Sequence, residues 1–248
     1  MAHIHCDFRS ESLDMVTAIH VVLPENTQVH NARVVYLFHG LQDNCSGWYR
    51  FTNVERFARM KNLVLVTPEV QRSFYADMDM GINYFQYVSQ ELPQICRNLF
   101  NLSDRRENNF LMGLSMGGYG ALKCALTNPE KYAGVAVFSA VTDIQDRVDK
   151  SEGRRRREFS AIFGNELKVP DCSNLWALAE KADPDNFPRL LAYCGEQDEL
   201  YQQNVRFCNM LKEKGFDAEF AHWEGVHNWV FWDKAVQRAI DTMFPEES

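Results

Sequence analysis

The chain has 248 residues, 46% of them apolar, which is enough to bury a sizeable core and excludes a disordered or fibrous protein. Lys plus Arg number 26 against 34 Asp plus Glu, and the formal net charge of -8 repels phosphate backbones and anionic lipid, so neither nucleic acid nor membrane is expected as a partner. A basic, then apolar leader is missing from MAHIHCDFRSESLDMVTAIH, and the seven cysteines contain no Cys-x-x-Cys pair, so a cytoplasmic protein with reduced thiols is expected.

Along the chain, short apolar runs alternate with helical patterns. VTAIHVVL, RVVYLFHG, LVLVTP, NNFLMG, AGVAVFS, RLLAYCG and AEFAHWE read as strands. Apolar residues at three- and four-residue spacings predict helices near 53–61, 83–100, 117–128, 202–214 and 229–243, with a kink or restart at Glu91-Leu92-Pro93. This order predicts an α/β fold, with a mainly parallel central sheet covered by helices on both faces. From about 142 to 188 the rhythm breaks into charged residues, the run Arg154 to Arg157, and Pro170, Pro184 and Pro188. That stretch reads as a helical insertion, a lid on a single domain spanning 1–248.

Gly113-Leu114-Ser115-Met116-Gly117 matches Gly-x-Ser-x-Gly, with NNFLMG as the entering strand and GGYGALKCALTN as the leaving helix. A serine in that strained turn is a nucleophile only if a histidine takes its proton and an acid orients the histidine. His222 lies within the strand pattern AEFAHWE. His227 follows Gly225-Val226 at the strand's carboxyl end, where catalytic groups collect, and is the favoured base. Asp198, just after RLLAYCG, leads Glu196 and Asp143 as the acid. A tetrahedral intermediate also needs donors for its oxyanion. The backbone N–H of Met116 and that of Leu41 in His39-Gly40-Leu41-Gln42-Asp43 are expected to supply them, with Gly40 as the alternative to Leu41.

HGLQDNCSGWYRFTNVERFARMKNLVLVTPEV, the ELP of YVSQELPQI, FLMGLSMGGYGALKCAL, CGEQDELY and GVHNWVFWD together resemble the esterase D-like branch of the α/β-hydrolases, above all bacterial tributyrin esterases. The resemblance implies the α/β-hydrolase fold and a serine carboxylesterase for short acyl groups, acetyl to butyryl, including acetylated carbohydrates. It also implies Ser115 as nucleophile, Asp198 as acid, His227 as base, and Leu41 and Met116 as oxyanion donors. Feruloyl or acetylxylan esters, and acyl transfer to an alcohol, are the alternative activities. Relatives of this kind often form homo-oligomers, and the chemistry needs neither metal nor cofactor. The loop His39 to Asp43 departs from the Ser-Gly-Leu-Thr-Cys of S-formylglutathione hydrolases, which argues against a glutathione thioester substrate.

Trp48, Trp229 and Trp232 lie close in sequence to site loops, and of these Trp48 and Trp229 are expected to shape the substrate pocket. Arg154 to Arg157 read as solvated or paired positions around a helix. His3 and His5 share one face of an edge strand, without a third metal ligand nearby in sequence.

Overall fold

The computed structural model describes residues 1–25 and 28–245. In chain order the elements are β1 (Ala2–Ser10), β2 (Met15–Leu23), β3 (Val34–Phe38), α1 (Gly47–Phe51), α2 (Val54–Met60), β4 (Val64–Pro68), α3 (Tyr84–Gln86), α4 (Leu92–Phe100), β5 (Asn109–Leu114), α5 (Met116–Thr127) and β6 (Gly134–Phe138). They continue with α6 (Ile144–Asp149), α7 (Gly153–Phe163), α8 (Leu175–Lys181), β7 (Arg189–Gly195), α9 (Tyr201–Glu213), β8 (Ala218–Trp223) and α10 (Trp229–Met243).

Among the described residues eight strands form one sheet in the order β1-β2-β4-β3-β5-β6-β7-β8. From β4 to β8 the neighbours run parallel, while β2 lies antiparallel to both β1 and β4. The central strands β3, β4, β5 and β6 are buried at every position, because helices cover both faces. Alternate side chains of β3 feed two cores. Val34, Tyr36 and Phe38 pack with residues of α4, α5 and α9, whereas Val35 and Leu37 pack with α1, α2 and α10. The fold is that of the α/β-hydrolases, as the sequence led us to expect.

Pro93 does act at the predicted restart. Between α3 and α4 the helix widens into a π-helical turn over Tyr87–Glu91, and Pro93 stands at the start of α4. Proline has no N–H to offer the carbonyl four residues back. The Ser89 carbonyl instead accepts a hydrogen bond from Lys131 Nζ at 3.0 Å. The 142–188 stretch is helical, holding α6, α7 and α8 between β6 and β7. No helix among the described residues is long and apolar enough to cross a membrane.

Helix α5 runs through the core, and its one cation, Lys123, is buried with it. Its ammonium donates to Ser173 Oγ at 3.0 Å and lies 4.3 Å from the centre of the Phe85 ring. Desolvation lowers its pKa from 10.5 to about 8. Below pH 8 both folded and unfolded chains hold this proton and the burial cost is felt in full. Between about pH 8 and 10.5 the unfolded chain holds more protons, so stability rises with pH. Urea unfolding at pH 7.5 and 10 should therefore show wild type gaining about 2–3 kcal/mol relative to Lys123→Met. Equal changes in the two proteins would show that Lys123 carries no burial cost.

Candidate active site

The serine of the elbow joins β5 to α5 with φ 52° and ψ -115°, a strained conformation for a residue with a side chain. Surrounding structure holds it there: the Ser115 N–H donates to the Phe138 carbonyl at 2.9 Å, and the Ser115 carbonyl accepts from Val141 N–H at 3.2 Å. Glycine is required on both sides. A Cβ at Gly113 would collide with the Gly117 carbonyl, and one at Gly117 with the carbonyls of Phe38 and His39.

Folding brings the three sequence candidates into one line. His227, in the loop between β8 and α10, has Nε2 at 3.0 Å from Ser115 Oγ and Nδ1 at 2.8 Å from Asp198 Oδ2. Burial alone would raise the Asp198 pKa. The hydrogen bond and charge of His227, with the Ser139 hydroxyl and the Leu200 N–H, outweigh it and hold the carboxyl below its ordinary value. The alternatives are engaged elsewhere: Glu196 Oε1 meets His222 Nδ1 at 2.9 Å in solvent, and Asp143 caps α6 by accepting from Asp146 N–H.

The loop after β3 is pinned from several directions. His39 is fully enclosed; its Nδ1 lies 2.7 Å from the Gly40 carbonyl, and its Nε2 accepts from Val70 N–H at 3.2 Å, a pattern that assigns the ring proton to Nδ1. Burial, against the pull of Glu69, lowers the His39 pKa and favours this neutral ring. In a trans peptide the N–H points opposite to the C=O, so drawing the Gly40 carbonyl toward His39 turns the Leu41 N–H away from the ring. Tyr75 donates to the His39 carbonyl at 3.0 Å and Arg72 to the Leu41 carbonyl at 3.1 Å. Met116 opens α5, where the first N–H groups lack intrahelical acceptors and the helix dipole is positive.

A cavity of about 350 Å³ opens over Ser115 and His227. Leu41 and Trp229 line it, with Asp43, Trp232, Arg147 and Arg155. Trp48, expected in the pocket, is instead fully buried and does not line the cavity. Its indole donates to the Phe38 carbonyl at 3.1 Å, and its ring meets Trp229 edge-on at 5.4 Å. A residue inside an apolar helix turn can face either way, and here the ring turns into the core.

Sequence reasoning missed Ser139, and it placed Trp232 near the site loops without giving it a role. The Trp232 indole donates to Ser139 Oγ at 3.2 Å and its ring stands edge-on to His227 at 4.9 Å, so the pair braces both Asp198 and His227. The position of Ser139 at the carboxyl end of β6 was the available signal. The His3 and His5 pair gains a neighbour from β2, since His3 Nε2 lies 2.8 Å from His20 Nδ1. Among the described residues no group of three His, Cys, Asp or Glu is arranged to hold a metal ion.

A doubly covered sheet of this order, with a serine in a strand-to-helix elbow beneath a cavity, defines a serine hydrolase of the α/β-hydrolase class. Comparison with known proteins agrees. Residues 10–243 match the Esterase family model, described as "Putative esterase". An acetyl esterase of Caldicellulosiruptor saccharolyticus is 28% identical, over 98% of each chain. Fluorophosphonate-binding serine hydrolase F of Staphylococcus aureus is 33% identical, with a TM-score of 0.91 over 99% of each chain. An S-formylglutathione hydrolase of the same organism is 34% identical, with a TM-score of 0.88 over 98% of each. The chain belongs to the esterase family, in its esterase D-like branch, and is a carboxylic ester hydrolase.

Proposed function

We propose that the protein hydrolyses short-chain acyl esters, acetyl to butyryl, in two steps through a covalent intermediate on Ser115. The observation that carries this is the continuous hydrogen-bonded line from Ser115 Oγ through His227 to Asp198. Ser115 Oγ attacks the ester carbonyl while His227 Nε2 takes its proton. The carbonyl oxygen becomes an oxyanion held by the N–H groups of Leu41 and Met116. The intermediate collapses, the C–O bond to the alcohol breaks, and His227 returns the proton to the leaving oxygen. Water, deprotonated by the same nitrogen, then attacks the acyl group and releases the carboxylic acid and free Ser115. Asp198 stays ionised and holds His227 in the tautomer that leaves Nε2 free to accept.

A cavity of about 350 Å³ is small for a ligand site and supports a short acyl group. Trp229 and Trp232 form its apolar wall, with Trp48 buttressing Trp229 from behind. The inserted helices α6 and α7 act as the lid, since each sends an arginine to the cavity. A glutathione thioester is a second reading: an S-formylglutathione hydrolase 34% identical over nearly the whole chain outweighs the departure in the loop sequence.

A panel of 4-nitrophenyl esters from acetyl to octanoyl, with acetylated sugars, a feruloyl ester and S-formylglutathione, tests the assignment. The expected result is kcat/KM highest at acetyl to butyryl and at least tenfold lower at octanoyl. A maximum at octanoyl would overturn the short-acyl reading, and preference for the thioester would select the second. Added alcohol separates hydrolysis from acyl transfer, because a transferase yields the new ester at the expense of free acid.

A further inference from the structure

The run Arg154 to Arg157 does not distribute evenly into solvent. Arg155 lines the Ser115 cavity, joined by Arg147 from α6. Behind Arg155 sits Glu158, which already accepts from Arg72 Nε and Nη2 at 3.1 and 3.0 Å, from Arg154 Nε at 3.0 Å and from Arg155 Nη1 at 2.8 Å. One carboxylate shared by three guanidiniums cannot neutralise them. Burial, and the nearby charges of Arg72, Arg147 and Arg154, lower the Arg155 pKa, while Glu158 opposes them. Among the described residues Arg147 pairs with Glu199 alone, at 3.2 Å; with side chains 38% and 63% exposed, this pair is of the solvent-screened kind that is easily exchanged. Four arginines therefore face two carboxylates, on a chain whose net charge is -8. Besides Glu199 the cavity is lined by Asp43, whose carboxylate lies beside Gly40, next to Ser115.

We propose that Arg147 and Arg155 form an anion subsite within the Ser115 cavity, selecting esters that carry a carboxylate a few bonds from the scissile carbonyl. The inference rests on the esterase reading and adds to it the charge of the substrate. Guanidinium groups bind a carboxylate by paired, charge-assisted hydrogen bonds, and both guanidiniums line the cavity that holds Ser115. The carboxylate takes Arg147 from Glu199 and occupies the side of Arg155 that Glu158 leaves unsatisfied. Arg72 ties this cluster to the site, since the guanidinium that holds Glu158 also holds the Leu41 carbonyl.

Two matched pairs test it at low ionic strength. 4-Acetoxybenzoate against 4-acetoxybenzamide places the charge on the alcohol, and monomethyl glutarate against methyl 4-carbamoylbutanoate places it on the acyl group. Wild type should favour the anion by about tenfold in kcat/KM in one pair, and that pair identifies which side of the ester reaches the arginines. The readout is the ratio within each protein, so a general loss of activity does not move it. Arg155→Gln should bring the ratio to within about twofold of unity, and Arg155→Lys should retain part of it. Glu199→Gln frees Arg147 and should raise the ratio about threefold, a direction that a purely structural role does not produce. No anion preference in either pair, or a ratio unmoved by both Arg155→Gln and Glu199→Gln, would overturn the subsite. Binding without turnover separates this from failure of the esterase reading. Glutarate, but not glutaramide, should quench the tryptophan fluorescence of Ser115→Ala protein and lose that effect in Ser115→Ala/Arg155→Gln.

Discussion

Replacing Ser115 with alanine is expected to lower kcat/KM for 4-nitrophenyl acetate by about 100,000-fold and to abolish labelling by a fluorophosphonate. The size follows from the chemistry assigned to one atom. Without Oγ no acyl-enzyme forms, and the remaining route is direct attack by water on an ester held by the proposed oxyanion donors, the Leu41 and Met116 N–H groups. The fold should survive, because the backbone bonds from Ser115 to Phe138 and Val141 do not involve the side chain. Near-UV circular dichroism and the thermal midpoint of the variant should match wild type within a few degrees. Retention of even a tenth of the activity would remove Ser115 from the mechanism.

Asp198→Asn should reduce kcat by about 1,000- to 10,000-fold while leaving KM near its wild-type value. The carboxylate accepts from three directions: His227 at 2.8 Å, the Leu200 N–H at 2.8 Å and the Ser139 hydroxyl. An amide of the same shape keeps one acceptor oxygen, which the Leu200 N–H can occupy, and turns an NH2 toward His227. That NH2 demands an acceptor at Nδ1, so the ring proton moves to Nε2, where it blocks proton transfer from Ser115. The effect on stability has a definite sign. Because the folded carboxyl lies below its ordinary value, its contribution is complete above about pH 4 and disappears as the pH falls through the folded value. Wild type should therefore lose stability relative to Asp198→Asn on acidification below pH 4. A variant that keeps more than a tenth of wild-type kcat would show that Asp198 does not control the tautomer.

How far the fold could be read depends on what each element buries. The strands from β3 to β7 are buried deeply enough, and the helices α5, α9 and α10 are amphipathic or buried enough, that their apolar patterns stand out within a residue or two. The edge strand β1 was legible only through His3 to Cys6, because alternate positions face solvent and the pattern is mostly polar. The π-helical turn ahead of Pro93 was visible only as a break, since proline specifies a missing donor but not how the preceding turn widens.

The candidate site divides in the same way. Ser115, Asp198 and His227 could be found because each sits in a loop immediately after a strand, at positions that the parallel topology forces to one edge of the sheet. Ser115 and His227 are 112 residues apart in the chain, yet chain order predicted their meeting. Trp48 carried no such constraint, and packing turned it inward against Phe138 and Trp229.

The net charge pointed away from nucleic acid and anionic membranes, and the amino-acid sequence by itself determined the fold class, the elbow and the order of Ser115, Asp198 and His227. Those depend on local patterns: strand, turn and helix propensities, and glycines where backbones touch. Only the tertiary structure decided where the charge lies. Arg72, Arg147, Arg154 and Arg155 come from three segments, and whether an arginine is solvated, paired or left facing a cavity depends on which carboxylates packing brings within reach. Net charge sums over the whole surface, whereas a substrate responds to the few groups within a Debye length of the reacting carbon.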